Sequence, residues 1–198
     1  AVIGRPVEFR SSDPKRQSSA LALLEEAAEV AGFSEISFLE EPSAAALAYH
    51  HGSSDQHRAL IVDLGGGTTD LALADIGSGP VPIIRQTWGM PRGGTDIDAA
   101  LSMTTAMPAF GYGVLDILVH QYRDAVLVAD LPRQRTFRES DFSRQPDPYR
   151  SRLHTLQQPG TTIRLNRDIE NCKVKLSSQT RAVVDLNYIS SGLSVVGD

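Results

Sequence analysis

The chain has 198 residues, 41% of them hydrophobic and 22% charged, a composition that suits a globular protein able to bury a core without metal or disulfide staples. Its formal net charge of -5 supplies no general attraction to nucleic acid or to an anionic membrane, and both are set aside as partners. Cys172 is the only cysteine, which excludes an intramolecular disulfide and a thiolate metal site and points to a reducing, cytoplasmic setting.

Residues 1–9 read as a short apolar strand ending near Pro6, and Ser12-Asp13-Pro14 predicts a helix N-cap followed by proline at the first helical position. Leu21, Leu24, Ala28 and Ala31 fall at helical spacing, with Gly32 just past the C-terminus. A strand is expected over 33–39. Glu41-Pro42-Ser43 then opens an alanine-rich helix through Tyr49, and 50–57 reads as a polar connector holding three of the five histidines, His50, His51 and His57, without ligand spacing. Strands follow at 59–64 and 71–76, the second alternating leucine with small residues in the period of a half-buried strand. A third, around 83–88, contains Trp88, expected in the core, and leads to GMPRGGTDIDAAL. There Gly93-Gly94 precede a helix whose first turn holds Thr95, Asp96 and Asp98. From 113 to 159 the chain is arginine-rich, with helices expected near 114–129 and 148–157; a last helix near 166–178, with Cys172 on its inner face, precedes a strand over 181–189. The order of elements predicts an α/β chain of two unequal parts. No apolar run is long enough to span a bilayer and no basic-then-apolar leader is present. AVIGRPVEF reads as a strand joined midway and LSVVGD stops without a cap, so a segment of a longer polypeptide is expected.

Residues 60–76 read LIVDLGGGTTDLALADI. A P-loop would need a lysine in the turn and a helix after it. Here the glycines join strand to strand, so they sit at a hairpin tip, where residues without Cβ can take positive φ and aim successive backbone N–H groups at one concave spot. Such a tip suits phosphate oxygens. Thr68 and Thr69 add hydroxyl donors, whereas Asp63 and Asp70 would repel phosphate and imply a bridging cation, Mg²⁺ held through water. A lone GGG would be an ordinary turn; the full string DLGGGTTD specifies more than a turn requires.

DLGGGTTD resembles the second phosphate loop of the actin-like ATPase (ribonuclease H-like) fold, in the form used by DnaK-type heat-shock chaperones. EEPSAAALAY, GMPRGGTDID and IENCKVKLSS resemble, in family order, the segment before that loop, a later glycine-rich segment and the adenosine-binding helix. VIGRPVEF and MPAFGYG look closest to the YegD-type members, which are bacterial Hsp70-like proteins. The resemblance implies a mixed sheet with flanking helices and an ATP/ADP site with Mg²⁺. Gly65, Gly66, Gly67 and Thr68 would hold the β- and γ-phosphates, and Thr69 would lie beside them. Asp63 and Asp70 would order metal-bound water, and one of them would orient the attacking water. Glu41 would stand near the metal shell, while Glu40 has no counterpart and reads as solvated. Gly93 and Gly94 would approach the nucleotide from the other lobe. Glu170, Lys173 and Ser177, on one helix face at i, i+3 and i+7, would meet ribose hydroxyls and the adenine edge. Without the glycine loop, Glu170 and Lys173 would be an exposed ion pair of about 0.3 kcal/mol. Val174 stands where the chaperones carry arginine, which weakens stacking on the adenine.

The same resemblance divides the chain into 1–57, the end of the first lobe; 58–112, the core of the second lobe with its phosphate hairpin; and 113–198, a helical subdomain carrying the adenosine-binding helix and the following strand. The family's first phosphate hairpin, its catalytic lysine and its final glycine-rich adenosine segment have no counterpart, so the chain reads as the middle of an ATPase. Phosphoryl transfer rests on positioning and on charge aimed at the γ-phosphate, so the intact parent is expected to hydrolyse ATP and this chain alone to turn over little or nothing. Client polypeptides and co-chaperones are the parent's expected partners, and the strand edge at Val2 predicts pairing with another copy of the chain. The alternatives are an actin-like cytoskeletal protein, an actin-fold small-molecule kinase, and a nucleotide-binding module without hydrolysis.

Overall fold

The computed structural model describes residues 1–9, 13–77 and 79–198, which fall into two compact units, Ala1–Asp96 and Ile97–Asp198. In the first, β1 (Val2–Arg5) pairs in parallel with β2 (Ser37–Glu40), and α1 (Pro14–Val30) forms the crossover between them. Asp13 caps α1 through its side chain, accepting from the Lys15 amide at 3.0 Å; Ser12 lies outside the described residues. Gly32 ends this helix at φ 93°, a conformation that costs glycine little. The second strand begins only at Ser37, four residues later than the apolar pattern at 33–39 implies. Glu40, expected in solvent, is half-buried: the parallel register sets it opposite Arg5, whose guanidinium donates to Oε1 at 3.0 Å.

β3 (His57–Leu64), β4 (Thr69–Ile76) and β5 (Ile83–Met90) form a separate antiparallel sheet in sequential order. Its inner face buries Ala72, Ala74 and Ile76 beneath α2 (Glu41–His51), whose Ala46 is wholly buried. Small residues on both partners let helix and sheet approach closely, and Ala59, Ile61 and Ile84 complete the cluster. At the end of the sheet far from the glycines, Asp75 bridges Arg58 of β3 and Arg85 of β5, with N–O separations of 2.7 Å to each Nε. Hydrogen bonds from both guanidiniums hold its carboxyl at about 2, so this clamp is present above the ordinary aspartate range and is lost as the pH falls through about 2.

The outer face of the sheet exposes Leu60, Val62, Leu64, Trp88 and Met90, and Leu60, Trp88 and Met90 line with Leu71 a shallow apolar depression. Trp88 is therefore a surface residue, 40% exposed: the alternation that buries its neighbours sends its ring to the uncovered side.

The second unit is mainly helical. α3 (Gly94–Leu101) leads into a π-helical stretch, Ser102–Ala106, and a 3₁₀ turn, Met107–Phe110. Then come α4 (Val119–Val126), α5 (Leu131–Glu139), α6 (Tyr149–Leu156), α7 (Thr161–Leu176) and the antiparallel pair β6 (Ala182–Asp185) and β7 (Ser194–Gly197). The helix expected over 114–129 starts at Val119, and α5 and β7 are additions to the expected elements. Phe110, Tyr122, Phe137, Leu153, Leu156 and Ile169 fill one core, with Cys172 buried at its margin as expected. Gln134 ties this core together: its amide donates to the Asp124 and Ala125 carbonyls and its oxygen accepts from Thr162 at 2.6 Å. No helix among the described residues is long and apolar enough to cross a membrane.

His50 and His51 lie inside α2 rather than in a connector. The buried His50 ring accepts the Gly77 amide on Nδ1 at 3.0 Å and donates from Nε2 to the Gly79 carbonyl at 3.1 Å, so it fastens the β4–β5 turn to the helix. His50→Phe leaves the Gly77 amide without its acceptor, and chemical denaturation should show a loss of about 1–3 kcal/mol.

Candidate functional site

The expected phosphate loop closes the β3–β4 hairpin. The ladder runs to Leu64↔Thr69, with Asp63 opposite Asp70, and Gly65 donates its amide to the Thr68 carbonyl at 2.9 Å. A closed two-residue turn would also join the Thr68 amide to the Gly65 carbonyl. Instead the Gly65 carbonyl accepts the Gly94 amide at 2.9 Å, and the Gly66 carbonyl accepts both the amide and the hydroxyl of Thr95, each at 2.9 Å. Two loop carbonyls are thus turned onto the first residues of α3. The amides of Gly66, Gly67 and Thr68 have no acceptor among the described residues. Successive free N–H groups on a short loop form an anion-binding concavity.

None of the three glycines takes a positive φ, contrary to the expectation for this tip. The loop is shaped by its anchorage to α3, so the glycines serve close approach instead. A Cβ on Gly93 would stand 2.7 Å from the Gly65 and Gly66 carbonyl oxygens, while a Cβ on Gly66 would meet nothing within 4 Å. Gly93 is held in place by its own amide, which donates to Asp96 Oδ2 at 3.0 Å. Gly93 and Gly94 therefore meet the hairpin itself. The Thr69 hydroxyl donates to the Arg92 carbonyl at 2.8 Å and serves the same docking.

Asp63 and Asp70 point to the face that carries Ala59, Ile61 and Ala72. Asp70 is 1% exposed, and its Oδ1 accepts the Val7 amide at 2.7 Å. The strap after β1 crosses the sheet closely there: a Cβ on Gly89 would lie 2.6 Å from the Glu8 nitrogen and 3.2 Å from Asp70 Oδ1. No sequence signal marks this contact, because Val7 contributes only its backbone. Asp63 has no hydrogen-bond or ion-pair partner among the described residues. Glu41, the first residue of α2, joins this group. Its carboxyl is pushed up from the ordinary glutamate value, first by desolvation and then by the negative charges of Asp63 and Asp70.

Mutually repelling carboxylates beside free amides fit a cation accompanying a phosphate. Among the described residues no three histidine, cysteine or carboxylate side chains are placed to ligate a metal directly; a cation held through its water needs no such cluster. Of the expected adenosine residues, Glu170 and Lys173 lie on α7 in the second unit and Ser177 is its C-cap. Glu170 and Ser177 are exposed, and the Ser177 hydroxyl donates to the Val174 carbonyl at 2.7 Å. Lys173 is paired with Asp98, its Nζ 2.8 Å from Oδ1, a partner that the sequence reading missed because it lies far along the chain.

A statistical model of the Hsp70 protein family matches residues 1–110. The chaperone protein DnaK of Thermosipho melanesiensis is 37% identical over 99 residues, covering 50% of this chain and 15% of that protein. DnaK of Thermoplasma acidophilum is 37% identical over 102 residues, and that of Prochlorococcus marinus 34% identical over 101, each covering 51% of this chain. The matched stretch spans only 16% and 15% of those two relatives.

Two outcomes are expected. Gly93→Ala forces its Cβ into the hairpin carbonyls and should cost about 1–3 kcal/mol in denaturant unfolding. Asp63→Asn removes one of the charges acting on Glu41, so the Glu41 titration followed by carbon NMR should move down. Because the folded-state value is raised, the stability linked to this carboxyl is full below the ordinary glutamate value and is lost as the pH rises through the raised one.

Proposed function

This chain belongs to the Hsp70 family, and from that premise we propose that it forms the nucleotide-binding middle of an Hsp70-like chaperone that takes Mg-ATP and Mg-ADP. Membership brings the actin-like ATPase fold, of which the mixed sheets and flanking helices are a part. The observation that carries the nucleotide reading is the row of acceptor-free amides at Gly66, Gly67 and Thr68 beside Asp63, Asp70 and Glu41.

In this reading the loop amides and the Thr68 hydroxyl hold the β- and γ-phosphates, while Gly93, Gly94 and Thr69 keep the loop in shape. Asp63, Asp70 and Glu41 hold Mg²⁺ through its water. When bound, the cation supplies charge neutralisation for the phosphates and orders water beside them. Asp63, with no other partner among the described residues, is the carboxylate that orients the attacking water; Asp70 is restrained by the Val7 amide. Glu170, Lys173 and Ser177 take the nucleoside.

The division into 1–57, 58–112 and 113–198 belongs to the same proposal, as do a YegD-type, bacterial, cytoplasmic parent, hydrolysis by the intact protein, and client polypeptides and co-chaperones as its partners. β1 pairs only with β2 among the described residues, so its free edge is open to a second copy of the chain.

The test separates binding from hydrolysis in the full-length polypeptide. A Cβ on Gly66 would meet nothing within 4 Å, so Gly66→Val should still fold, while calorimetry should show Mg-ATP binding abolished by the added bulk at the loop. Asp63→Asn keeps the shape and removes the charge, so nucleotide should still bind while turnover falls by about 10²-fold or more. Unchanged Mg-ATP affinity in Gly66→Val reduces the loop to a turn and overturns the reading.

A further inference from the structure

Asp98 is a carboxylate that the proposed site does not use. It is 4% exposed, on α3, and Oδ1 is buried. The Lys173 ammonium stands 2.8 Å from that oxygen, yet at an angle outside hydrogen-bond geometry, and no other donor reaches it among the described residues. The contact is therefore chiefly electrostatic. A carboxylate buried this deeply requires a neutralising partner, and Lys173, with 27% of its side chain exposed, supplies it.

The arrangement is asymmetric. Lys173 could turn to water if Asp98 were absent, whereas Asp98 without Lys173 would be an uncompensated buried charge. The aspartate fixes the lysine, and it also cancels its charge. An ammonium carries three N–H donors, more than one carboxylate oxygen can take up. Glu170 lies one turn away on the same exposed helix face and offers acceptors. A donor without net charge beside an acceptor suits neutral vicinal hydroxyls better than phosphate.

We propose that Asp98 is a positioning, specificity-determining residue of the nucleoside site: it holds and neutralises Lys173 so that this side chain serves ribose hydroxyls and not the phosphates. The inference rests on the nucleotide-binding reading above. Asp98 touches no ligand itself and acts through Lys173.

The experiment compares the full-length wild-type polypeptide with Asp98→Asn and Asp98→Glu, using ATP, 2′-deoxy-ATP, 3′-deoxy-ATP and inorganic tripolyphosphate as calorimetric probes. One lost hydrogen bond corresponds to about tenfold, so the wild type should prefer ATP over one of the deoxy analogues by about that factor. In Asp98→Asn this preference should fall towards unity while tripolyphosphate binds more tightly, and Asp98→Glu should restore the preference. A general loss of structure would weaken all probes together and would not invert the response to tripolyphosphate. In ¹⁵N-labelled wild type, the Lys173 ammonium signal should be protected from solvent exchange. If that signal exchanges as fast as those of surface lysines, or if folded Asp98→Asn keeps the wild-type preference, the inference is overturned and the nucleotide reading stands. If the wild type binds no ATP, the nucleotide reading fails and takes this inference with it.

Discussion

The candidate site depends on where two carbonyl groups point. Had Gly65 and Thr68 closed the hairpin turn in the ordinary way, the loop would have satisfied itself and offered nothing to a ligand. The amides of Gly94 and Thr95 instead draw the Gly65 and Gly66 carbonyls aside, each over 2.9 Å. Helix N-termini carry unsatisfied N–H groups, and here these are satisfied by a loop of the same unit. The unmatched amides are thereby displaced from α3 to the hairpin, where carboxylates flank them. Gly93 makes this possible because no Cβ intervenes between the two segments.

The carboxylates follow from a second constraint, the alternation of the strands. Asp63 and Asp70 are cross-strand partners, so they share one face and approach each other despite like charge. Burying Asp70 is tolerable because the Val7 amide binds it. Glu41 is desolvated and also faces the remaining repulsion, and both raise its proton affinity. Acids that repel one another bind a proton or a nearby cation more readily, and that connects the electrostatics to the anion-binding amides.

The second unit solves a different problem with similar means. Its core is aromatic and aliphatic, and several of the polar groups inside it are partnered: Gln134 bridges α4, α5 and Thr162, while Arg133 pairs with the buried Asp124 at 3.3 Å. Arg164 stacks over the Tyr188 ring at 3.8 Å. The arginine-rich composition of this region thus serves partly as local packing and ion pairing among short helices, which accounts for its weak periodicity.

By itself the sequence determined the local elements whose signals are local: the Asp13 cap and Gly32 stop of α1, the alternation of β4, the glycine hairpin between Asp63 and Asp70, and the helix face that groups Glu170, Lys173 and Ser177. It also placed the four motifs that led to the family. The tertiary structure alone decided how the loop is held, which is by carbonyl docking onto α3 without positive φ at the triglycine. It decided as well that Val7 restrains Asp70, that Arg5 claims Glu40, that His50 fastens a turn, that Asp98 holds Lys173 and that Trp88 faces outward. The reason is common to all of these. Propensity and periodicity act between residues a few positions apart, whereas each of these contacts joins distant segments, and several use only backbone atoms, which every residue type supplies alike.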